Sequence, residues 1–100
     1  MKKRLNKSVV CADGFRMSVQ ANETAYCDPR DNVGPYTEVE VGFPNRDEPM
    51  LKQWAEDPNR LTETVYAWVP RQVILNVIAK HGGMVDGELP HGVPDLWGSS

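Results

Sequence analysis

The sequence contains no run of about 18 apolar residues, the length that a membrane-spanning helix requires. Near its start, residues 9–12 form an unbroken apolar stretch that is too short for the apolar region of a secretory signal peptide. The chain also has few cysteines, namely Cys11 and Cys27. Without a secretion signal, we expect both to be reduced thiols in a protein that stays in the cytoplasm.

Sequence patterns of metal and catalytic sites are also missing. Cys11, Cys27, His81 and His91 have the residue types of a zinc site, but they lie far apart, whereas zinc-binding turns place their ligands a few residues apart. No pattern puts a histidine base beside either thiol, as nucleophilic catalysis requires. The sequence therefore predicts a non-enzymatic protein with no catalytic residue, no metal site and no cofactor.

Length and composition are those of one folded domain. The 100 residues allow one modest core, and the fractions of 40% hydrophobic and 25% charged residues are close to globular averages. The 8 glycines and 8 prolines indicate many turns. We predict a basic, flexible N-terminus at residues 1–7, a single α+β domain at residues 8–88 and a Pro/Gly-rich tail at residues 89–100.

Charge is distributed unevenly along the chain. The formal net charge is -3, yet Lys2, Lys3, Arg4 and Lys7 supply four of the eleven basic residues, which leaves seven basic against fourteen acidic residues elsewhere and a net charge of -7 there. A body this acidic is repelled by phosphate backbones. The charge pattern argues against direct binding of nucleic acid.

Two segments near the start predict a β-hairpin. Residues 9–12 and 15–19 flank Asp13-Gly14, a pair suited to a tight type I′ turn. Residues 21–35 then contain many Asn, Asp, Gly and Pro residues, which favour turns. We expect a long loop there.

Two further strands follow. Thr37, Val39, Val41 and Phe43 alternate with polar residues or glycine, which predicts a strand over residues 36–43 with one face in the core and one in water. Residues 64–69 are β-branched, aromatic or apolar on both faces, so we expect a central or covered strand.

Two helices complete the predicted elements. Asp47 is placed to cap a short helix that Pro49 opens and Pro58 ends. Residues 71–81 carry an apolar stripe that includes His81, and Gly82 suits a left-handed cap. The predicted fold is α+β, with a small antiparallel sheet of three to four strands and one short and one longer helix packed on one face.

Aromatic and charged residues provide the candidates for protein binding. Tyr26 and Arg30 lie in the long loop, for which a rigid surface turn is an equally good interpretation. Glu38 and Glu40 lie on the solvent face of a strand, where charge that protects a sheet edge is the ordinary explanation. Trp97 in the tail is the strongest candidate for an intermolecular contact, whereas we expect Trp54 and Trp68 to lie in the core.

Several short blocks lie in a fixed order along residues 9–88, at residues 15–20, 26–30, 34–36, 39–44, 64–66 and 69–83. In that order they resemble small uncharacterised proteins encoded by tailed bacteriophages. The resemblance implies expression in the cytoplasm of an infected bacterial host, and it carries over no catalytic or binding residue.

Three functional hypotheses remain open. The first is an interaction protein that binds and modulates a host bacterial protein, through anti-defence activity, host takeover or acidic mimicry of nucleic acid. The second is a structural module that self-assembles into a homo-oligomer or belongs to the virion, using exposed strand edges and the apolar tail. The third is a small enzyme or ligand binder that uses residues 26–32 and His81.

Overall fold

Three strands precede the first helix in the part of the chain that the computed structural model describes, residues 5–94, and two further strands and a second helix follow it. This confirms the predicted α+β class, but the sheet has five strands rather than three or four. The elements are β1 (Val9–Cys11), β2 (Arg16–Gln20), β3 (Glu38–Gly42), a 3₁₀ helix (Pro49–Trp54), β4 (Val65–Pro70), α1 (Arg71–Lys80) and β5 (Met84–Asp86).

The sheet is antiparallel throughout, in the order β4-β3-β2-β1-β5. β2 pairs with β1 through its first residues, as in Val9 opposite Met17, and with β3 through its last residues, as in Val19 opposite Val41. β5 pairs with β1 and is the strand that the sequence did not predict. Its three residues are too few to show a period of two.

One core lies between the sheet and the helices. Val39 and Val41 face it while Glu38 and Glu40 are only half-buried, as the alternation predicted. Each fully buried aliphatic side chain of this kind contributes about 1.5–3 kcal/mol relative to an exposed one. The other fully buried side chains include Val9, Phe15, Met17, Val19, Leu51, Tyr66, Val69, Ile74, Val77 and Ile78.

The turn between β1 and β2 differs from the predicted type I′ turn. The Gly14 N–H donates to the Cys11 carbonyl at 2.9 Å, and the Cys11 N–H donates to the Phe15 carbonyl at 2.8 Å. Within the turn only Gly14 has a positive φ, of 92°. This is a type I turn followed by a left-handed glycine, and it leaves the Asp13 carboxylate free to accept from the Phe15 N–H at 2.9 Å.

The 3₁₀ helix begins at a different cap from the one predicted. Its N-cap is Glu48, whose carboxylate accepts from the Met50 N–H at 2.9 Å, so the prediction of Asp47 was wrong. Both acidic residues can cap a helix, and burial decides between them because Glu48 points inward whereas Asp47 is exposed. A buried carboxylate gains more from the N–H donors at the helix start.

The end of α1 confirms the predicted glycine stop. The Gly83 N–H donates to the Ile78 carbonyl at 2.8 Å, and the Gly82 N–H donates to the Ala79 carbonyl at 3.1 Å. Gly82 has a φ of 92°. These are the bonds of a Schellman motif, and they leave His81 as the C-cap residue.

The described part of the tail, residues 89–94, packs against the domain. Val93 is buried in the core and Leu89 packs against it. The Tyr36 N–H donates to the His91 carbonyl at 2.8 Å, and the Arg71 guanidinium donates to the Gly92 carbonyl at 3.3 Å. Among residues 5–94, neither helix is long and apolar enough to cross a membrane.

Candidate functional site

The long loop between β2 and β3 runs back along β3 and brings Tyr26 to β4. Asp28 forms an antiparallel bridge with Glu38, and the Asp28 N–H donates to the Glu38 carbonyl at 3.0 Å. The Tyr26 N–H donates to the Glu40 carboxylate at 3.0 Å, while the Tyr26 carbonyl accepts from the Trp68 N–H at 3.0 Å. Hydrogen bonds therefore hold both the N–H and the carbonyl of Tyr26.

Trp68 is exposed because of a β-bulge. Val39 pairs with Val69 and Val41 pairs with Tyr66, so Ala67 and Trp68 of β4 lie opposite the single residue Glu40. Within the bulge, Trp68 has a φ of 51°. This is a left-handed conformation that is rare for an aromatic residue. Its side chain is 45% exposed, although Ala67 and Val69 are buried.

Trp68 therefore lies outside the core, and the expectation of a core position was wrong. β4 also lies at the edge of the sheet rather than at its centre. The segment after the 3₁₀ helix covers part of that edge, because Ala55 bridges Tyr66 and the Glu56 N–H donates to the Val65 carbonyl at 2.9 Å. Trp54 is half-buried and packs against the core.

We use the name aromatic surface for Tyr26, Arg30 and Trp68. The ring centroids of Tyr26 and Trp68 lie 5.3 Å apart with an interplanar angle of 37°. The guanidinium carbon of Arg30 lies 5.7 Å from the centroid of the Tyr26 ring, within the range of a cation–π contact. Trp, Tyr and Arg are the residue types that dominate the binding energy of protein interfaces.

Carboxylates border the aromatic surface. Asp28 and Glu38 face each other across the bridge, and Glu40 holds the Tyr26 N–H. Within residues 5–94, none of these three carboxylates forms an ion pair with a Lys, Arg or His side chain. No ion pair among the described residues therefore neutralises these three carboxylates.

Four of the five candidate binding residues lie in this part of the fold. Tyr26 and Arg30 contact each other, and Glu38 and Glu40 lie on the strand beside them, whereas Trp97 lies outside the described residues. Sequence reasoning missed Trp68, because a bulge leaves no periodic signal. The only sign in the sequence was that residues 64–69 lack the polar–apolar alternation of a strand with one exposed face.

A second cluster surrounds His81, which lies at the C-terminal end of α1. β4 leads into the other end of this helix. His81 Nδ1 lies 2.6 Å from Asp13 Oδ2 and its Nε2 lies 2.6 Å from Glu48 Oε1. The Phe15 ring stacks on the imidazole with centroids 4.2 Å apart. The side chain of Glu48 is 1% exposed, whereas that of Asp13 at the surface is 42% exposed.

A lysine and an arginine complete this cluster. Lys80 Nζ lies 2.9 Å from Glu48 Oε2, and Arg46 Nη2 lies 3.2 Å from Asp13 Oδ1. The hydrogen bond with His81, and next the one from the Phe15 N–H, hold the pKa of Asp13 below its ordinary value. Burial acts to raise the pKa of Glu48, but hydrogen bonds from the Met50 N–H, Lys80 and His81 together lower it.

Both cysteines are free and buried. Burial raises the pKa of the Cys11 thiol to about 11, and burial also raises the pKa of Cys27, whose sulfur lies 3.2 Å from the Asn22 carbonyl oxygen. Thiols in such surroundings are poor nucleophiles. In the described part of the chain, no group of three or more His, Cys, Asp and Glu side chains is placed to hold a metal ion.

Comparisons of the chain with protein-family models, with curated proteins and with solved structures found no match. The function is therefore inferred from the geometry of the described residues and from the sequence.

Proposed function

We propose that this protein is an interaction protein that binds a partner protein through the aromatic surface of Tyr26, Arg30 and Trp68. The observation that supports this most is the conformation of Trp68. A left-handed φ costs a residue with a side chain about 1–2 kcal/mol, and here that conformation exposes a large apolar ring instead of burying it. Backbone strain is typical of functional sites, and here the strained residue also brings its exposed ring against the ring of Tyr26.

The arrangement of the aromatic surface suits a protein contact. The N–H and the carbonyl of Tyr26 are both hydrogen-bonded, so its backbone loses little conformational freedom when a partner binds. The indole of Trp68 and the guanidinium of Arg30 lie next to it. Rigid aromatic residues with a neighbouring arginine provide apolar contact area together with a hydrogen-bond donor.

The charge around this surface favours a basic partner. Asp28, Glu38 and Glu40 border it, and the chain outside the basic start has a net charge of -7. A protein cleft rich in Lys and Arg, such as one that accepts a nucleic acid, is complementary to such a border. The resemblance of the sequence to small bacteriophage proteins supports a host protein in the cytoplasm of an infected bacterium as the proposed partner.

A quantitative capture experiment tests the proposal. Tagged wild-type protein and Trp68→Ala are used to capture partners from bacterial lysate, and the captured proteins are identified by mass spectrometry. Phe43→Ala is the matched control, because Phe43 is another exposed aromatic residue with a left-handed φ, of 46°. A stoichiometric partner that Trp68→Ala loses and Phe43→Ala keeps would support the proposal.

Equal capture by wild type and Trp68→Ala would contradict it. So would equal loss with Phe43→Ala, because nonspecific adhesion by exposed rings would then explain the binding. Treating the lysate with nuclease in parallel separates a protein partner from one that is carried along on nucleic acid.

Self-assembly is the second candidate, and one observation favours it. β5 is an end strand of the sheet, and its Val85 side chain is 53% exposed. An edge strand that carries an exposed apolar residue can pair with a strand of a second copy of the chain. A concentration-dependent increase in native mass that Val85→Lys abolishes would support this candidate, and a strictly monomeric mass would exclude it.

A further inference from the structure

His81 lies between two carboxylates that both need a hydrogen-bond donor. Asp13 and Glu48 each approach one ring nitrogen at 2.6 Å. Both carboxyl groups have a lowered pKa, so both are ionised at neutral pH and can only accept. A neutral imidazole has one N–H, and so the two contacts together require the imidazolium form of His81.

The three residues of this cluster come from three different parts of the fold. Asp13 lies in the turn between β1 and β2, Glu48 caps the 3₁₀ helix, and His81 caps α1. The backbone adds two weaker connections, because the Asp13 N–H donates to the His81 carbonyl at 3.2 Å and the Ala12 N–H donates to the Gly83 carbonyl at 2.9 Å.

We propose that Asp13, Glu48 and His81 form an acid-released latch, which holds the end of α1 against the β1–β2 turn and the 3₁₀ helix until the two carboxylates are protonated. The latch is independent of the aromatic surface, since it shares no residue with it. Its contacts are charge-assisted hydrogen bonds, which are roughly twice as strong as neutral ones.

Other charged and titratable groups face the latch from each neighbouring element. Lys80 of α1 contacts Glu48, Arg46 of the preceding loop contacts Asp13, and Cys11 of β1 lies near Asp13. The thiol of Cys11 is neutral at neutral pH because burial raises its pKa. With the latch closed, three cations therefore surround two carboxylates, and the carboxylates carry all the negative charge of the cluster.

The direction of the pH response follows from the two carboxyl groups. Their pKa values are lower in the folded protein than their ordinary values of 3.8 and 4.5. The stability that they provide is fully present above those ordinary values and is lost as the pH falls through the folded values. Protonation then leaves His81, Lys80 and Arg46 as three cations without counter-charges, and they repel each other.

Amide hydrogen exchange, followed residue by residue by NMR, tests the latch. The probes are the hydrogen-bonded N–H groups of Ala12, Asp13 and Gly83, and the N–H groups of β3 serve as the internal reference. Between about pH 6.5 and about pH 3.5, the protection of the three probes should fall at least about tenfold more than that of β3, because the lowered pKa values of the two carboxyl groups link protonation to opening of the latch.

Three variants test whether the two carboxylates cause the loss of protection. Glu48→Gln should show low probe protection already at the higher pH, with little further change on acidification. Asp13→Asn should do the same, and its exposed position keeps this variant informative if Glu48→Gln does not fold. Asp47→Asn, which removes the exposed carboxylate next to Glu48, should behave like wild type. Equal loss of protection in the probes and in β3, or a wild-type pH response in Asp13→Asn, would overturn the proposal.

Discussion

The Tyr26 carbonyl accepts a hydrogen bond from the Trp68 N–H at 3.0 Å, and the two aromatic rings lie 5.3 Å apart at 37°. The same backbone contact thus fixes the loop before β3 to the bulge in β4. Because both residues are held by the main chain, changes to their side chains can alter binding while the fold is retained. The first prediction below tests whether the fold is retained.

Trp68→Gly should leave the free energy of unfolding within about 1 kcal/mol of wild type. Glycine removes the cost of the left-handed φ, about 1–2 kcal/mol, and this offsets the loss of the aromatic contact with Tyr26, about 0.5–1.5 kcal/mol. Trp68→Ala keeps the strain and loses the contact, so it should be less stable than the glycine variant. Urea unfolding followed by circular dichroism measures both, and a glycine variant less stable than the alanine variant would contradict the prediction.

Glu38→Lys should weaken binding of the captured partner about tenfold at low salt and make the affinity less dependent on salt concentration. The change reverses one charge of the negative border, and charges at the rim of an interface act mainly on the association rate. Glu63→Lys, which reverses an exposed charge in the turn before β4, is the control and should bind nearly as wild type. Surface plasmon resonance over a salt series measures this effect. An unchanged association rate in Glu38→Lys would rule out the electrostatic part of the proposal.

Gly82→Ala should lower the free energy of unfolding by about 1–2 kcal/mol. Gly82 has a φ of 92°, and an added Cβ would lie 3.0 Å from the Ala12 Cβ. Gly42→Ala is the matched control, since Gly42 has an ordinary φ and its added Cβ would meet Ser18 at a normal 3.7 Å. Thermal unfolding of both variants should therefore give a lower Tm for Gly82→Ala than for Gly42→Ala.

Wild-type protein should lose about 2 kcal/mol more stability than Cys11→Ala between about pH 8 and about pH 10.5. The Cys11 thiol has a pKa of about 11 when folded and of 9.0 as its ordinary value, so ionisation favours the unfolded chain as the pH rises. The stability that comes from the neutral thiol is complete below about pH 9 and is lost as the pH rises toward 11. Urea unfolding at both pH values measures the difference, and parallel losses in the two proteins would show that Cys11 does not cause it.

Local patterns in the sequence determined much of the secondary structure. The alternation around Val39 and Val41 predicted β3, and the apolar stripe followed by Gly82 predicted α1 and its end. Both succeed because the period of the apolar residues and the access of glycine to a positive φ are local properties of the sequence. The loop that carries Tyr26 and Arg30 was recognisable from its turn-forming residues for the same reason.

Tertiary structure alone decided the rest. The exposure of Trp68 depends on a bulge opposite Glu40, and a change in register between two strands leaves no trace in the residues of either one. The position of His81 between Asp13 and Glu48 depends on three distant segments that meet at the end of α1, and the apolar stripe predicted only that its ring is buried. The sequence specifies which side chains leave water, whereas the packing of distant segments specifies which charges and rings they meet.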